Sequence, residues 1–151
     1  MPDFWTETQA TSKSEDWATP LEFFNLLHAE FDFTLDVCAS DWNAKCPKFF
    51  TKQQDAIDRP WAPERCWMNP PYGKDIGSWM AKARDEARRG ALVVCLIPAR
   101  TDTIWWHEYI GLRSEVRFVK GRLKFVHKDG RGDPAPFPSA VVIYRPGGRL
   151  S

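Results

Sequence analysis

The stretch from Arg65 to Ile97 constrains the fold more than any other part of the chain. Arg65–Met68 is a short apolar run that leads directly into Asn69-Pro70-Pro71-Tyr72-Gly73. From Ile76 to Arg89 the pattern turns helical. Ile76, Trp79, Met80 and Ala83 share one face, while Lys82, Arg84, Asp85, Glu86, Arg88 and Arg89 fall largely on the other. Gly90 is expected to end that helix. Ala91–Ile97 is then continuously apolar, as a strand covered on both faces of a parallel sheet must be. Strand, helix and strand in this order predict an α/β fold with a largely parallel sheet.

The flanking segments extend the pattern. Leu21, Phe23, Phe24, Leu26, Leu27 and Phe31 have helical spacing, with Thr19 expected as the N-cap and Pro20 in the first turn. Phe33–Cys38 reads as a strand. Residues 44–64 read as irregular, with a short strand near Phe49–Thr51. A loop at Pro98–Asp102 precedes a short helix over Thr103–Gly111. Glu115–Lys120, Leu123–His127 and Ser139–Tyr144 are expected strands, and Lys128–Pro138 a surface loop. Ligands collect at the carboxyl ends of strands in such sheets. Three segments, Asp36–Ser40, Asn69–Tyr72 and Pro98–Asp102, are therefore expected to face one crevice. Residues 1–16 are expected to form a flexible N-terminal arm and residues 17–147 a single domain, since 151 residues can bury a core without disulfide or metal staples.

Composition excludes several classes. A net charge of +1 argues against a binder that works by bulk positive charge. An aromatic content of 14% argues against general disorder, and 12 Pro with 9 Gly argue against a simple helical bundle. Cys38, Cys46, Cys66 and Cys95 have no paired spacing and read as reduced thiols rather than a metal site. The first sixteen residues are polar and the longest apolar run is short, so a cytoplasmic protein is expected, with no membrane partner.

The chemistry concentrates in Asn69-Pro70-Pro71-Tyr72. Pro70 and Pro71 stiffen the backbone and bring no N–H, so their carbonyls remain as fixed acceptors. The Asn69 side-chain oxygen and the Pro70 carbonyl can accept both hydrogens of one exocyclic amine. Such an amine is a poor nucleophile because its lone pair is delocalised into the ring. Two acceptors out of the ring plane favour a pyramidal nitrogen and free the lone pair, while Tyr72 stacks on the base. No strong base is needed.

Residues 67–73, Trp-Met-Asn-Pro-Pro-Tyr-Gly, resemble the catalytic motif of amino-methyltransferases that use S-adenosylmethionine. Asp16-Trp17-Ala18-Thr19-Pro20 is similar to the Thr-Pro motif of DNA adenine methyltransferases, Leu35–Ser40 to their cofactor strand, and Asp55-Ala56-Ile57 to their adenine-contacting turn. Gly121–Phe125 and Pro136–Ala140 resemble the C-terminal part of the compact phage-type (Dam-like) DNA N-6-adenine methyltransferases. The resemblance spans residues 14–145. It implies a compact Rossmann-like S-adenosylmethionine-dependent methyltransferase fold with a mostly parallel sheet and an antiparallel C-terminal strand. It also implies DNA adenine-N6 methylation by Asn69, Pro70, Pro71 and Tyr72. The cofactor-binding residues it implies are Thr19, Pro20, Asp36, Cys38, Ala39, Ser40 and Asp55, with Asp36 the main polar contact to the cofactor's amino-acid end. The turn Cys38–Asn43 lacks the glycines of the wider methyltransferase class.

Charge is uneven along the chain. Between Arg113 and Arg131 seven basic residues face two acidic ones, a local excess of five on a chain whose total is +1. Lys120, Arg122, Lys124, Lys128 and Arg131 are the expected contacts to duplex DNA, whose target base must leave the stack to reach a strand-end loop. With no separate recognition segment apparent, further DNA contacts are expected from residues 41–64 and 128–138, with short or relaxed site specificity. Trp105, Trp106 and Phe125 read as core, and His107 and His127 receive no role. Two rival readings stand beside this one. One is methylation of another amine (cytosine N4, a guanine amine in ribosomal RNA, or a protein glutamine); the other is a degenerate domain that only binds nucleic acid.

Overall fold

A computed structural model describes residues 17–111 and 114–148 of the chain. The expected arm, residues 1–16, and Arg113 lie outside the described residues. A six-stranded sheet carries the order β3-β2-β4-β5-β9-β6, with β2 at Leu35–Ala39, β3 at Phe49–Thr51, β4 at Arg65–Met68, β5 at Leu92–Pro98, β6 at Glu115–Phe118 and β9 at Ser139–Tyr144. β3, β2, β4 and β5 pair in parallel, whereas β9 is antiparallel to both β5 and β6. The fold is mixed α/β, and the sheet is mixed. Every residue of β5 and of β9 is buried, which explains the apolar run of β5 and of β9 from Ala140 onward.

Helix α1 (Leu21–Phe31) turns Phe24, Leu27 and Phe31 inward and ends at Asp32, which adopts the left-handed region. Phe24 meets Trp67 of β4 edge-on at 5.3 Å, and Phe33 meets the same indole at 5.6 Å. Aromatic burial of this kind contributes about 1.5–3 kcal/mol per side chain, and here it locks α1 to β4. Leu21 and Leu26 share the helical spacing but stay exposed. Helix α2 (Ile76–Arg88) buries Ile76, Met80, Ala83 and Ala87, and Gly90 follows it at φ +118°. Helix α3 (Ile104–Tyr109) is capped by Thr103, whose hydroxyl accepts the Trp106 N–H, and Trp106 is buried.

Four expectations are corrected. Glu86 is not on the solvent face of α2 but is 2% exposed, because it serves as acceptor to the loop before β4. Thr19 is not a helix cap: the N-cap of α1 is Pro20, whose carbonyl accepts the Phe24 N–H, and no side chain caps the helix. The Lys128–Pro138 segment is not all loop. After a turn at Gly130 (φ +93°), Gly132–Pro134 forms β8 and pairs with β7 (Lys124–His127), so the turn-rich composition marks a hairpin. β1 (Trp17–Ala18) completes this second sheet in the order β1-β7-β8, with Trp17 opposite His127. Finally, Arg117, one of the seven basic residues between Arg113 and Arg131, is not open to a phosphate as that stretch suggested, since its guanidinium is paired with Glu30 at 2.7 Å and with Glu115 at 2.8 Å.

Candidate active site

The carboxyl ends of β2 and β4 converge on one cavity. β2 delivers Asp36, 2% exposed, whose carboxylate accepts the N–H of Cys38 at 3.1 Å and of Lys45 at 3.0 Å. Burial pushes its pKa up to about 6, against the pull of those two N–H groups and of the Lys45 charge. Beyond Ala39 the chain turns without a glycine. Asn43 closes that turn instead: its Oδ1 accepts the Ser40 N–H at 2.7 Å and its Nδ2 donates to the Trp17 carbonyl at 3.2 Å. One amide therefore ties the end of β2 to β1.

β4 hands the chain to Asn69. Its Nδ2 donates to Thr19 Oγ1 at 3.1 Å, and its Oδ1 accepts the Tyr72 hydroxyl at 2.7 Å. The Tyr72 hydroxyl also lies 3.1 Å from the Leu96 carbonyl of β5. A hydroxyl acceptor on one side and a phenol donor on the other fix which way the Asn69 amide faces. This is the bond that takes Thr19 Oγ1 away from the helix terminus.

β3, paired with β2 through Ala39 and Thr51, runs into two 3-10 turns that also line the cavity, Lys52–Gln54 and Ala56–Asp58, with Asp55 between them at φ 52°. Thr51 and Gln54 cap the first turn reciprocally. The second is held from beneath, where the Trp61 indole N–H donates to the Ala56 carbonyl at 2.9 Å. Glu86 fixes Trp61 in turn, accepting its backbone N–H at 2.7 Å and that of Ala62 at 3.1 Å. Burial alone would raise the Glu86 carboxyl, but these donors and the Lys82 ammonium bring its pKa down to about 2.

The cavity between these elements, open to one side, has a volume of about 380 Å³. Of the residues singled out from sequence, it brings together Thr19, Asp36, Cys38, Ala39, Ser40, Asp55, Asn69 and Pro71. Pro20, Pro70 and Tyr72 do not line it. Tyr72 is buried, with its ring meeting Phe137 at 5.5 Å and Phe125 at 6.4 Å, both nearly perpendicular. The Pro98–Asp102 loop, expected at the same crevice, also stays out. Its Ala99 N–H donates to the Pro138 carbonyl, and Arg100 covers the Phe137 ring at 5.8 Å, because β9 runs antiparallel beside β5 and brings its own entry loop to that end.

Several lining residues received no role from sequence. Trp17 and Trp67 were quoted only within longer motifs, Asn43, Lys45 and Lys52 fell only within the 41–64 segment expected to touch DNA, Trp79 was read only as part of a helix face, and Asp75 and Ser78 carried no signal. Lys120, Arg122, Lys124, Lys128 and Arg131 are all exposed and none lines the cavity. Their surface adjoins it through β1, which pairs with β7, and the Arg131 guanidinium stands 5.9 Å from the centre of the Trp17 ring. Among the described residues no cluster of His, Cys, Asp or Glu could hold a metal ion, and no helix is long and apolar enough to cross a membrane. All four cysteines are free thiols.

An α/β sheet with an open-mouthed cavity at its parallel strand ends, and Asn69 and Pro71 of the Asn-Pro-Pro-Tyr loop on its wall, offers a small ligand a place beside a fixed amide. The chain belongs to the DNA N-6-adenine-methyltransferase (Dam) family, whose model matches residues 6–148. It is similar to the DNA N-6-adenine-methyltransferase of Haemophilus phage HP1, with 26% identity over 147 residues, covering 92% of this chain and 85% of the phage protein. It is also 29% identical over 110 residues to the DNA N-6-adenine-methyltransferase of Escherichia phage T1, covering 71% of this chain but 45% of that protein. Membership of a DNA methyltransferase family implies a methyl donor and a DNA substrate.

Proposed function

We propose that the chain transfers a methyl group from S-adenosylmethionine to the N6 amine of an adenine flipped out of duplex DNA, within a single Rossmann-like domain over residues 17–147. The observation that carries this reading is the oriented amide of Asn69 on the cavity wall. A carbonyl oxygen has two lone pairs, and Tyr72 engages one of those on Asn69 Oδ1. Among the described residues no hydrogen bond reaches the Pro70 carbonyl. Asn69 and Pro70 thus offer two acceptors for the two hydrogens of one amine. Pro71 stiffens the turn that sets them, and Tyr72 supplies the hydroxyl that steers Asn69; its ring, buried beside Phe125 and Phe137, stacks on the base only once a face of it is uncovered.

The donor contributes an electrophilic methyl group on a sulfonium. The residues of this chain hold and orient. As the amine gains its fourth substituent it becomes acidic, and one of its protons leaves to solvent, so the chain needs no strong base.

The cavity suits such a donor. A volume of about 380 Å³ lies within the ordinary range for small-ligand sites. The Ser40 hydroxyl oxygen, on its wall, is buried with no hydrogen-bond partner among the described residues, and a buried polar atom of that kind calls for a polar ligand group. Asp36 is read as the partner of the cofactor's ammonium. Cys38, Ala39 and Ser40 are read as donor contacts at the end of β2, Thr19 as the contact nearest Asn69 with Pro20 behind it, and Asp55 as the adenine end. Lys120, Arg122, Lys124, Lys128 and Arg131 are read as the phosphate contacts, since exposed cations beside the cavity can draw in a nucleic-acid backbone.

Incubation with duplex DNA and isotopically labelled donor, followed by digestion to nucleosides, tests the proposal. Label is expected on N6 of adenine, and Asn69→Ala is expected to abolish it while still binding donor. Label on cytosine N4, or none from a chain with demonstrably bound donor, overturns it.

A further inference from the structure

The cavity holds an acid and an amine on the same wall that are not joined as an ion pair. Lys45 is half-buried and lines the cavity with Asp36. Its backbone N–H donates to the Asp36 carboxylate at 3.0 Å, which pins the residue beside the acid, while no salt bridge joins its ammonium to a carboxylate among the described residues. The backbone on both sides is held: Asn43 closes the turn before it, and Cys46 after it is 5% exposed. Asp36 acts on this ammonium through space, but among the described residues no carboxylate pairs with it at salt-bridge distance, so a partly desolvated cation is left with room for an anionic ligand.

We propose that Lys45 is the anchor for the α-carboxylate of the methyl donor, opposite Asp36, which takes the α-ammonium. The assignment rests on the reading of the cavity as a donor site and adds to it a residue that no motif indicated. The methionine end of the donor is a zwitterion, and a fixed carboxylate beside an amine on a short tether is its charge complement. The buried Ser40 hydroxyl, also on this wall and without a partner among the described residues, can donate to the same carboxylate. The other lining cation, Lys52, is exposed and belongs to the 3-10 turn that leads to Asp55. Its place beside Asp55 assigns it to the nucleoside end.

Calorimetric binding of two ligands separates the possibilities without a turnover assay. S-adenosylhomocysteine carries the zwitterion, and 5′-methylthioadenosine lacks it. Wild type is expected to favour the first. Lys45→Met is expected to lose about ten- to a hundredfold in affinity for S-adenosylhomocysteine, the range of one charge-assisted contact, with methylthioadenosine binding unchanged. Lys45→Arg should retain most of the preference and Lys52→Met all of it. Equal losses for both ligands in Lys45→Met, an unaltered preference there, or loss of the preference in Lys52→Met overturns the assignment. Wild type binding neither ligand overturns the donor-site reading itself, and this assignment with it.

Discussion

The side-chain nitrogen of Asn69 donates to the hydroxyl of Thr19 across 3.1 Å, joining two residues fifty positions apart in sequence. The bond sets the amide so that its oxygen, not its nitrogen, meets the Tyr72 hydroxyl and whatever amine is presented to it. Thr19 is 3% exposed, so valine fits its shape but leaves the Asn69 nitrogen without its acceptor. Thr19→Val is expected to lower kcat by about a hundredfold, the scale of a misplaced reacting group, and Thr19→Ser to restore it. Tyr72→Phe keeps the ring and loses the other half of the clamp. It should lower kcat while leaving KM for DNA nearly unchanged, whereas Tyr72→Ala should raise that KM too by losing a stacking surface. Wild-type kcat in both Thr19→Val and Tyr72→Phe would show that the clamp has no part in turnover.

How much of this was legible in the sequence depended on whether a residue acts where its motif stands. Ala91–Ile97 reads as a buried strand because its environment is apolar on both faces, and Asn69 reads as chemistry because two prolines follow it. Asn43 and Lys45 gave no signal, because their roles come from the way β2 turns back towards β1, which spacing does not encode. Glu86 was misplaced for a related reason. Helical periodicity assigns a face, but the partners that draw a carboxylate inward, the N–H groups of Trp61 and Ala62, lie about 25 residues away. Thr19 before a helix is as good a cap as any by pattern alone, and only the position of Asn69 decides otherwise.

Asp36 makes donor binding depend on pH. Its carboxyl is pushed up to about 6 by burial, with the Lys45 ammonium nearby opposing the shift and the Cys46 thiol neutral, its own pKa raised by burial to about 12. A raised acid is a stability cost in the ionised form, so this residue favours the fold most below its ordinary value near 3.8 and progressively less as pH rises to about 6. Binding of an ammonium requires the opposite state. Affinity for S-adenosylhomocysteine should therefore be flat above pH 6.5 and fall below pH 6, approaching about tenfold per unit. In Asp36→Asn it should be weak, with that slope gone. Calorimetry from pH 5 to 8 checks both, and a wild-type profile as flat as the variant's would remove Asp36 from the donor site.

The exposed cations predict a salt signature. Each phosphate contact contributes a slope of about −0.9 to the dependence of log affinity on log salt. Lys120, Arg122, Lys124 and Lys128 are exposed and form no ion pair with a carboxylate among the described residues, whereas Arg117 is held by Glu30 and Glu115. Removing Lys124 and Lys128 together should flatten the slope by about two contacts and weaken binding to all sequences alike. Arg117→Ala should leave the slope unchanged. Fluorescence anisotropy on a labelled duplex at several salt concentrations measures both, and a reversed pattern would move the DNA surface from the β7–β8 hairpin to the β6 edge.

Glu86 links stability to the shape of the cavity. Its carboxylate accepts the Trp61 and Ala62 N–H groups, Lys82 at 3.0 Å and Arg89 at 2.7 Å, from a position 2% exposed. Its pKa of about 2, against an ordinary 4.5, is the depressed case. The stabilisation is complete above pH 4.5 and is lost as pH falls from there towards 2, for a total of about 3 kcal/mol. Glu86→Gln keeps one acceptor for the backbone but leaves the Lys82 ammonium, largely buried, without its counter-charge. Urea denaturation at pH 7 should show a loss of about 3 kcal/mol, and the variant's stability should fall less steeply than that of wild type between pH 4.5 and 3. Because Trp61 holds the Ala56 carbonyl on the cavity wall, donor affinity should drop along with stability. A variant as stable as wild type at pH 7 would mean that the Trp61 loop is held by its own packing, with the four contacts to Glu86 contributing nothing net.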